Sequence, residues 1–193
     1  MNISREREKL FNAIIYFCNN TNNCHKLKLM KLLYYVDFWH FKETGKSVTN
    51  QIYKAWEKGP VPIKVYFEIT PQNNPDDLQE FLFIEEEVYD EVNGKKKLVI
   101  KPKKKFNEKI FTKRELKILK KVSEAFRDAP SNLMTDSTHL LNSPWSKTIK
   151  EKGKDATIDY VLSLDSEENS LTEEIVNDKI QFDRENKELL DNL

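Results

Sequence analysis

The stretch from His25 to Thr44, HKLKLMKLLYYVDFWHFKET, constrains the fold more than any other part of this chain. At 100° per residue, Lys28, Lys31, Tyr35 and Trp39 form one narrow polar-aromatic stripe. Nearly everything else is apolar: Leu27, Leu29, Met30, Leu32, Leu33, Tyr34, Val36, Phe38 and Phe41. A helix apolar almost all round belongs in the middle of a core, so the rest of the chain must be arranged to cover it. Gly45 follows as a natural C-terminal cap. Asp37 falls inside the apolar arc, and a buried carboxylate needs a cation or backbone donors. A structural ion pair is the expected solution.

Other elements are read around this helix. Ser4 caps a first helix to about Asn19, with Leu10, Ile14 and Phe17 at helical spacing, and Asn19-Asn20-Thr21-Asn22-Asn23 ends it. Ile52 to Glu57 alternates as a short strand, stopped by Gly59-Pro60 and Pro62. Pro62 opens a short helix carrying Val65, Tyr66 and Ile69, and 71–77 is a loop. Phe81 to Val92 and Lys95 to Lys101 flank Asn93-Gly94, the favoured two-residue hairpin turn. That turn would pair Val92 with Lys95, Glu91 with Lys96, Asp90 with Lys97 and Glu86 with Lys101. A flap over 81–101, packed at its base and wet at its tip, is predicted. Thr112 and Glu115 form a capping box for a helix to Phe126. Further helices are predicted over 131–141, from Ser143-Pro144-Trp145, as a turn over 158–164, and over 170–193, where Ser170 and Glu173 form a second box. The fold class is mainly α (α+β): a compact helical domain over 1–165 with a small antiparallel β element, followed by an acidic tail over 166–193.

The formal charge is zero, with 32 basic and 32 acidic residues, yet the charges fall in blocks. Every charged residue from Asp76 to Glu91 is acidic; thirteen basic residues from Lys95 to Lys121 face only Glu108 and Glu115. Such blocks meet each other or a partner. As a nucleic-acid surface the basic block is poor: it has almost no arginine for base readout, few interleaved aromatics, and lysines already opposite an acidic strand. No apolar run reaches the length of a membrane span and no signal peptide is evident, so the expected compartment is the cytoplasm. Cys18 and Cys24 suggest neither a disulfide framework nor a zinc site. No phosphate-cradling glycine loop or hydrolase motif is present, and neither cofactor nor metal is expected. His40 near Asp37 could be a base with its orienter, but no nucleophile accompanies it; a packed histidine is the simpler reading, and His139 is read likewise. The rings most suited to anchor a partner are Tyr35 and Trp39, beside Lys31, together with Trp56, Tyr66 and Trp145.

The order of these residues resembles the Panacea domain, the SocA-like antitoxin family. Leu29, Lys31, Leu32, Leu33, Tyr34 and Tyr35 resemble its K-L-x-K-L-x-Y-Y helix, followed by Trp39-His40 and Gly45. Ala55-Trp56 and Gly59-Pro60-Val61 resemble its A-W-x-x-G-P-V strand and corner, then Val65-Tyr66. Thr138-His139 and Pro144-Trp145 resemble its T-H-x-x-x-P-W element, with one extra residue in the gap. The resemblance implies a non-catalytic protein that neutralises a cognate toxin encoded by a neighbouring gene. It also implies, as an alternative, a protease adaptor delivering that toxin; the basic block Lys95–Lys121 separately offers a third reading, an autoregulator binding nucleic acid. In the first case the structural motif is carried by Asp37, His40, Gly59, Pro60, His139 and Pro144.

Overall fold

The structure, a computed structural model, describes residues 3–164 and Gln181. The expected tail helix over 170–193, with its Ser170–Glu173 box, lies outside the described residues but for Gln181. Helix α1 (Arg5–Asn20) begins at Ser4, whose Oγ accepts from Arg7 N at 3.2 Å. Helix α2 (Lys26–Thr44) follows and ends at Gly45, whose φ of 71° is the left-handed conformation that closes helices. Helix α2 is the hub. It packs against α1 and against β2 (Gly59–Pro62), α3 (Ile63–Glu68), α5 (Lys113–Ala125), α6 (Ser131–Thr138), the strand β4 (Lys95–Pro102) and the 3₁₀ turn Tyr160–Ser163. A polar residue elsewhere on α2 therefore has nowhere to meet water. Lys28 and Lys31 are buried, and of the 19 residues only a handful at the ends and Trp39 reach the surface. The polar-aromatic stripe is thus enclosed along most of its length, and each of its lysines is satisfied internally.

Asp37 corrects one expectation. It is completely buried, and among the described residues no cation meets it. Its Oδ1 instead accepts from Val48 N (2.9 Å) and Thr49 N (2.7 Å). Its Oδ2 accepts from Thr49 Oγ1 (2.6 Å), Tyr53 OH (2.8 Å) and, at 3.4 Å, Tyr160 OH. Neutral donors solvate the carboxylate without the desolvation of a second charge. Asp37 thereby fastens the 45–53 loop to the middle of α2.

The first sheet also departs from expectation. Strand β1 (Tyr53–Trp56) does not end at the Gly-Pro corner; it turns through Glu57-Lys58 and pairs with β2 as an antiparallel hairpin. Prolines are tolerated in β2 because they sit opposite Tyr53 and Ala55, where the ladder needs no donor. The outward groups of β1 bond on its other edge: Ala55 N to Ala156 O (2.9 Å), Asp155 N to Ala55 O (3.0 Å) and Ile158 N to Tyr53 O (2.9 Å).

Helix α4 (Asp76–Phe81) leads into β3 (Leu82–Asp90), which pairs with β4. The register is three residues from the one predicted. Asp90 pairs with Lys95 across a four-residue loop, and Tyr89 is bulged. The core decides this. The observed register sets Ile84 opposite Ile100, both buried, whereas the predicted one would place Ile100 opposite Glu87. Asp90 supplies the loop chemistry, accepting from Asn93 N (3.1 Å) and Asn93 Nδ2 (2.8 Å). Acidic still faces basic, with new partners: Lys96 with Glu86 (2.8 Å), Lys97 with Glu87 (3.5 Å), Lys101 with Glu85. The base is buried at Leu82, and the tip is wet at Val92, 93% exposed.

Helix α5 carries the predicted capping box in full, from Thr112 and Glu115. Helix α6 stops at Thr138 rather than 141, leaving Leu140 and Leu141 exposed in a turn. Helix α7 (Pro144–Lys152) starts as expected, with Ser143 capping and Pro144 in its first turn.

Candidate functional site

Lys31 and the second and third motif segments meet at the β1–β2 hairpin. Lys31 projects from α2 and donates its Nζ to the carbonyls of Lys58 (2.5 Å) and Pro60 (3.3 Å), one on each side of Gly59. An amine on the core helix thereby holds the hairpin turn shut. Burial, with no anion to offset it, pushes the pKa of Lys31 down to about 7. A neutral amine has two N–H donors and faces two carbonyls, so either protonation state satisfies the turn. Gly59 has φ +96°, and a Cβ there would run into Lys31 Nζ and Thr138 Oγ1 and lie 3.4 Å from His139 Nε2. Both the backbone conformation and the space demand glycine at this position.

The third motif segment closes over the same point. Trp145 on α7 donates Nε1 to Trp56 O at 2.9 Å. His139 stacks on the Trp145 ring at 3.8 Å and 14°. Its Nε2 is buried and has no hydrogen-bond partner among the described residues. Burial, then the nearby Lys31, lowers the His139 pKa, so the ring is neutral at neutral pH. Pro144 starts the helix that positions Trp145, and Pro60 belongs to the clamped turn.

Beside this joint opens a cleft of about 700 Å³ between α2, the hairpin and α6. Its apolar wall is Leu27, Met30, Val61, Trp56 and Tyr66, with Lys31 behind and Asp136 and Lys154 at the rim. Trp56 and Tyr66 meet edge to face at 4.8 Å and are half-buried, while Leu27 is 51% exposed. Lys26 covers Tyr66 from above, its Nζ 3.9 Å from the ring centroid. Burial lowers the Lys26 pKa to about 8.

Three of the six ring-and-lysine candidates, Lys31, Trp56 and Tyr66, are thus brought to one cleft. Trp145 braces it from behind. Tyr35 and Trp39 are not part of it; they line a second groove of about 480 Å³ with Phe126, Leu140 and Leu141. There Tyr35 stacks on Phe126 at 4.4 Å, and Lys121 stands 5.3 Å from the Trp39 ring. Tyr35 is buried and Trp39 half-buried. Asp37 and His40 do not form a base and orienter: His40 Nδ1 bonds the Lys46 carbonyl at 2.6 Å and Thr44 Oγ1 at 3.2 Å.

Two buried lysines were not singled out by sequence reasoning as ligands of loops. Lys28 Nζ donates to Asn22 O (2.7 Å) and Arg127 O (2.9 Å), joining the loops before α2 and after α5. The signal was present: lysines three apart on an otherwise apolar helix must find carbonyls. Among the described residues no three His, Cys, Asp or Glu side chains gather as metal ligands do, and no helix is long and apolar enough to cross a membrane.

Against known families, a model described as antitoxin SocA-like, Panacea domain, matches residues 29–146, more than half of the chain. The matched span contains Lys31, the β1–β2 hairpin, Thr138-His139 and Trp145. Neither curated proteins nor solved structures gave a match.

Proposed function

The chain belongs to the antitoxin SocA-like, Panacea domain family, and from that premise we propose that it neutralises a cognate toxin protein by direct contact. The observation that carries this reading is the convergence at one cleft of residues from three separated elements, two of them bearing the motif: Lys31 from α2, Trp56 and Val61 from the hairpin, and Asp136 from α6. The cleft wall is aromatic and apolar and its rim bears charges of both signs, the composition of a protein-binding hot spot. The toxin is expected to present an apolar side chain to Trp56 and Tyr66. The basic segment favours a protein partner over nucleic acid, because Lys95, Lys96, Lys97, Lys101, Lys104 and Lys121 are engaged by acids: Glu80, Glu85, Glu86, Glu87 and Asp90 on the hairpin and its approach, and Glu43 on α2. Co-expression with the protein of the adjacent gene tests the proposal. That protein should arrest growth alone, be harmless beside this chain, and copurify with it. A harmless neighbour that forms no complex would sink the reading.

A further inference from the structure

Two thiols outside the cleft of Trp56 and Tyr66 lie against each other. Cys18 is on the last turns of α1 and Cys24 is in the loop leading to α2, and their Sγ atoms are 3.7 Å apart. Both are free thiols, Cys24 buried and Cys18 half-buried. The loop between them is held in place. Asn22 N donates to Arg127 O (2.9 Å), Lys28 grips both Asn22 O and Arg127 O, and Asn23 turns the chain back with φ 54°. This returns Cys24 to the side of Cys18, which no spacing rule for cysteines would reveal.

We propose that Cys18 and Cys24 form an oxidation-sensitive dithiol, a modification site that closes to an intrachain disulfide on meeting a peroxide. A disulfide needs an S–S distance of about 2.05 Å, so the sulfurs must approach by roughly 1.7 Å from their 3.7 Å separation. The hydrogen bond from Cys18 is the main influence on Cys24 and lowers its pKa, burial opposing and Lys28 assisting; Cys18 is correspondingly raised. Cys24 is therefore the attacking thiolate. Its sulfur takes one oxygen of hydrogen peroxide, the O–O bond breaks, and hydroxide departs, leaving a sulfenic acid at Cys24. Cys18 then gives up its proton to that hydroxide, forming water. Its sulfur attacks the Cys24 sulfur, and the S–O electron pair leaves with a proton from solvent as a second water. Two thiols and one peroxide become one disulfide and two waters, and a thiol reductant reverses the change by exchange. The new bond would staple the end of α1 to the entrance of α2, along the wall of a second cleft of about 700 Å³ lined by Asn22, Asn23, His25 and the hairpin's Tyr89.

Intact-mass measurement of the full chain after limited hydrogen peroxide treatment decides the matter. The expected result is a monomer lighter by two hydrogens, restored by dithiothreitol, with the loss located in the peptide holding both cysteines. Cys18→Ser should instead trap a single sulfenic acid at Cys24, captured by dimedone. Unchanged mass, covalent dimers, or addition of oxygen without hydrogen loss in the unmodified sequence would each overturn the proposal. Those readouts need no toxin, so they are independent of the proposed antitoxin activity.

Discussion

At the scale of single residues, the chain is held by polar groups set inside an apolar helix, and each is matched to a specific loop. Asp37 accepts from two backbone amides and from the hydroxyls of Thr49 and Tyr53 with no exposure to water. Asp37→Ala leaves those donors buried and unpaired. It should destabilise the protein by about 3 kcal/mol or more, read as a lower urea midpoint. Lys31 makes a prediction in pH. Folded, its amine loses a proton near pH 7; unfolded, near 10.5. Between those values the unfolded chain holds the extra proton, so this contribution to stability rises with pH and is lost as pH falls back through about 7. The slope from one group is at most about 1.4 kcal/mol per pH unit. Denaturant unfolding at pH 7 to 9 should therefore show a steeper rise for the natural sequence than for Lys31→Met. Asp37 was legible as a buried carboxylate needing donors. That the donors would be neutral was not, because Tyr53, Thr49 and Tyr160 reach it from segments whose approach only the folded chain defines.

At the scale of elements, local signals placed helices well where a cap fixes an end. Ser4, Gly45, the Thr112–Glu115 box and Ser143-Pro144 all mark observed boundaries. Thr112→Ala should cost about 1 kcal/mol, measured as a shift in the thermal or urea transition, since Glu115 N loses its acceptor, Thr112 Oγ1. The β elements were less legible. Asn93-Gly94 suggested a two-residue turn, but burying Ile84 against Ile100 and leaving Asp90 free to cap the loop outweighed turn preference. Proline at 60 and 62 argued for a strand end. The rule that proline spoils a strand assumes both edges are in use at that residue, and here the alternate positions left Pro60 and Pro62 without a donor to supply.

At the scale of the whole molecule, the periphery wraps one helix and leaves a cleft where α2, the β1–β2 hairpin and α6 meet. The helical and strand motifs made Lys31 and Trp56 visible in the sequence, but their convergence with Asp136 depends on how α6 returns across α2, which no local pattern encodes. Tyr35 and Trp39, adjacent to Lys31 on the helical wheel, went to a different groove because Phe126 and Leu140 arrive on that side. Leu27 stands half in water on the cleft rim, clear of the core. Leu27→Glu should keep the folding transition within about 0.5 kcal/mol, as surface changes do. It should nonetheless raise the Kd for the toxin at least tenfold in a calorimetric titration. Unaltered affinity would move the contact surface elsewhere on the molecule.

The enclosure of α2 has a consequence for biosynthesis. Its amino acids leave the ribosome before α5, α6 and the Tyr160–Ser163 turn that roof it are translated. For that interval the nascent chain carries a sticky, unsheltered segment, the kind that chaperones hold and that drives aggregation when synthesis outpaces them.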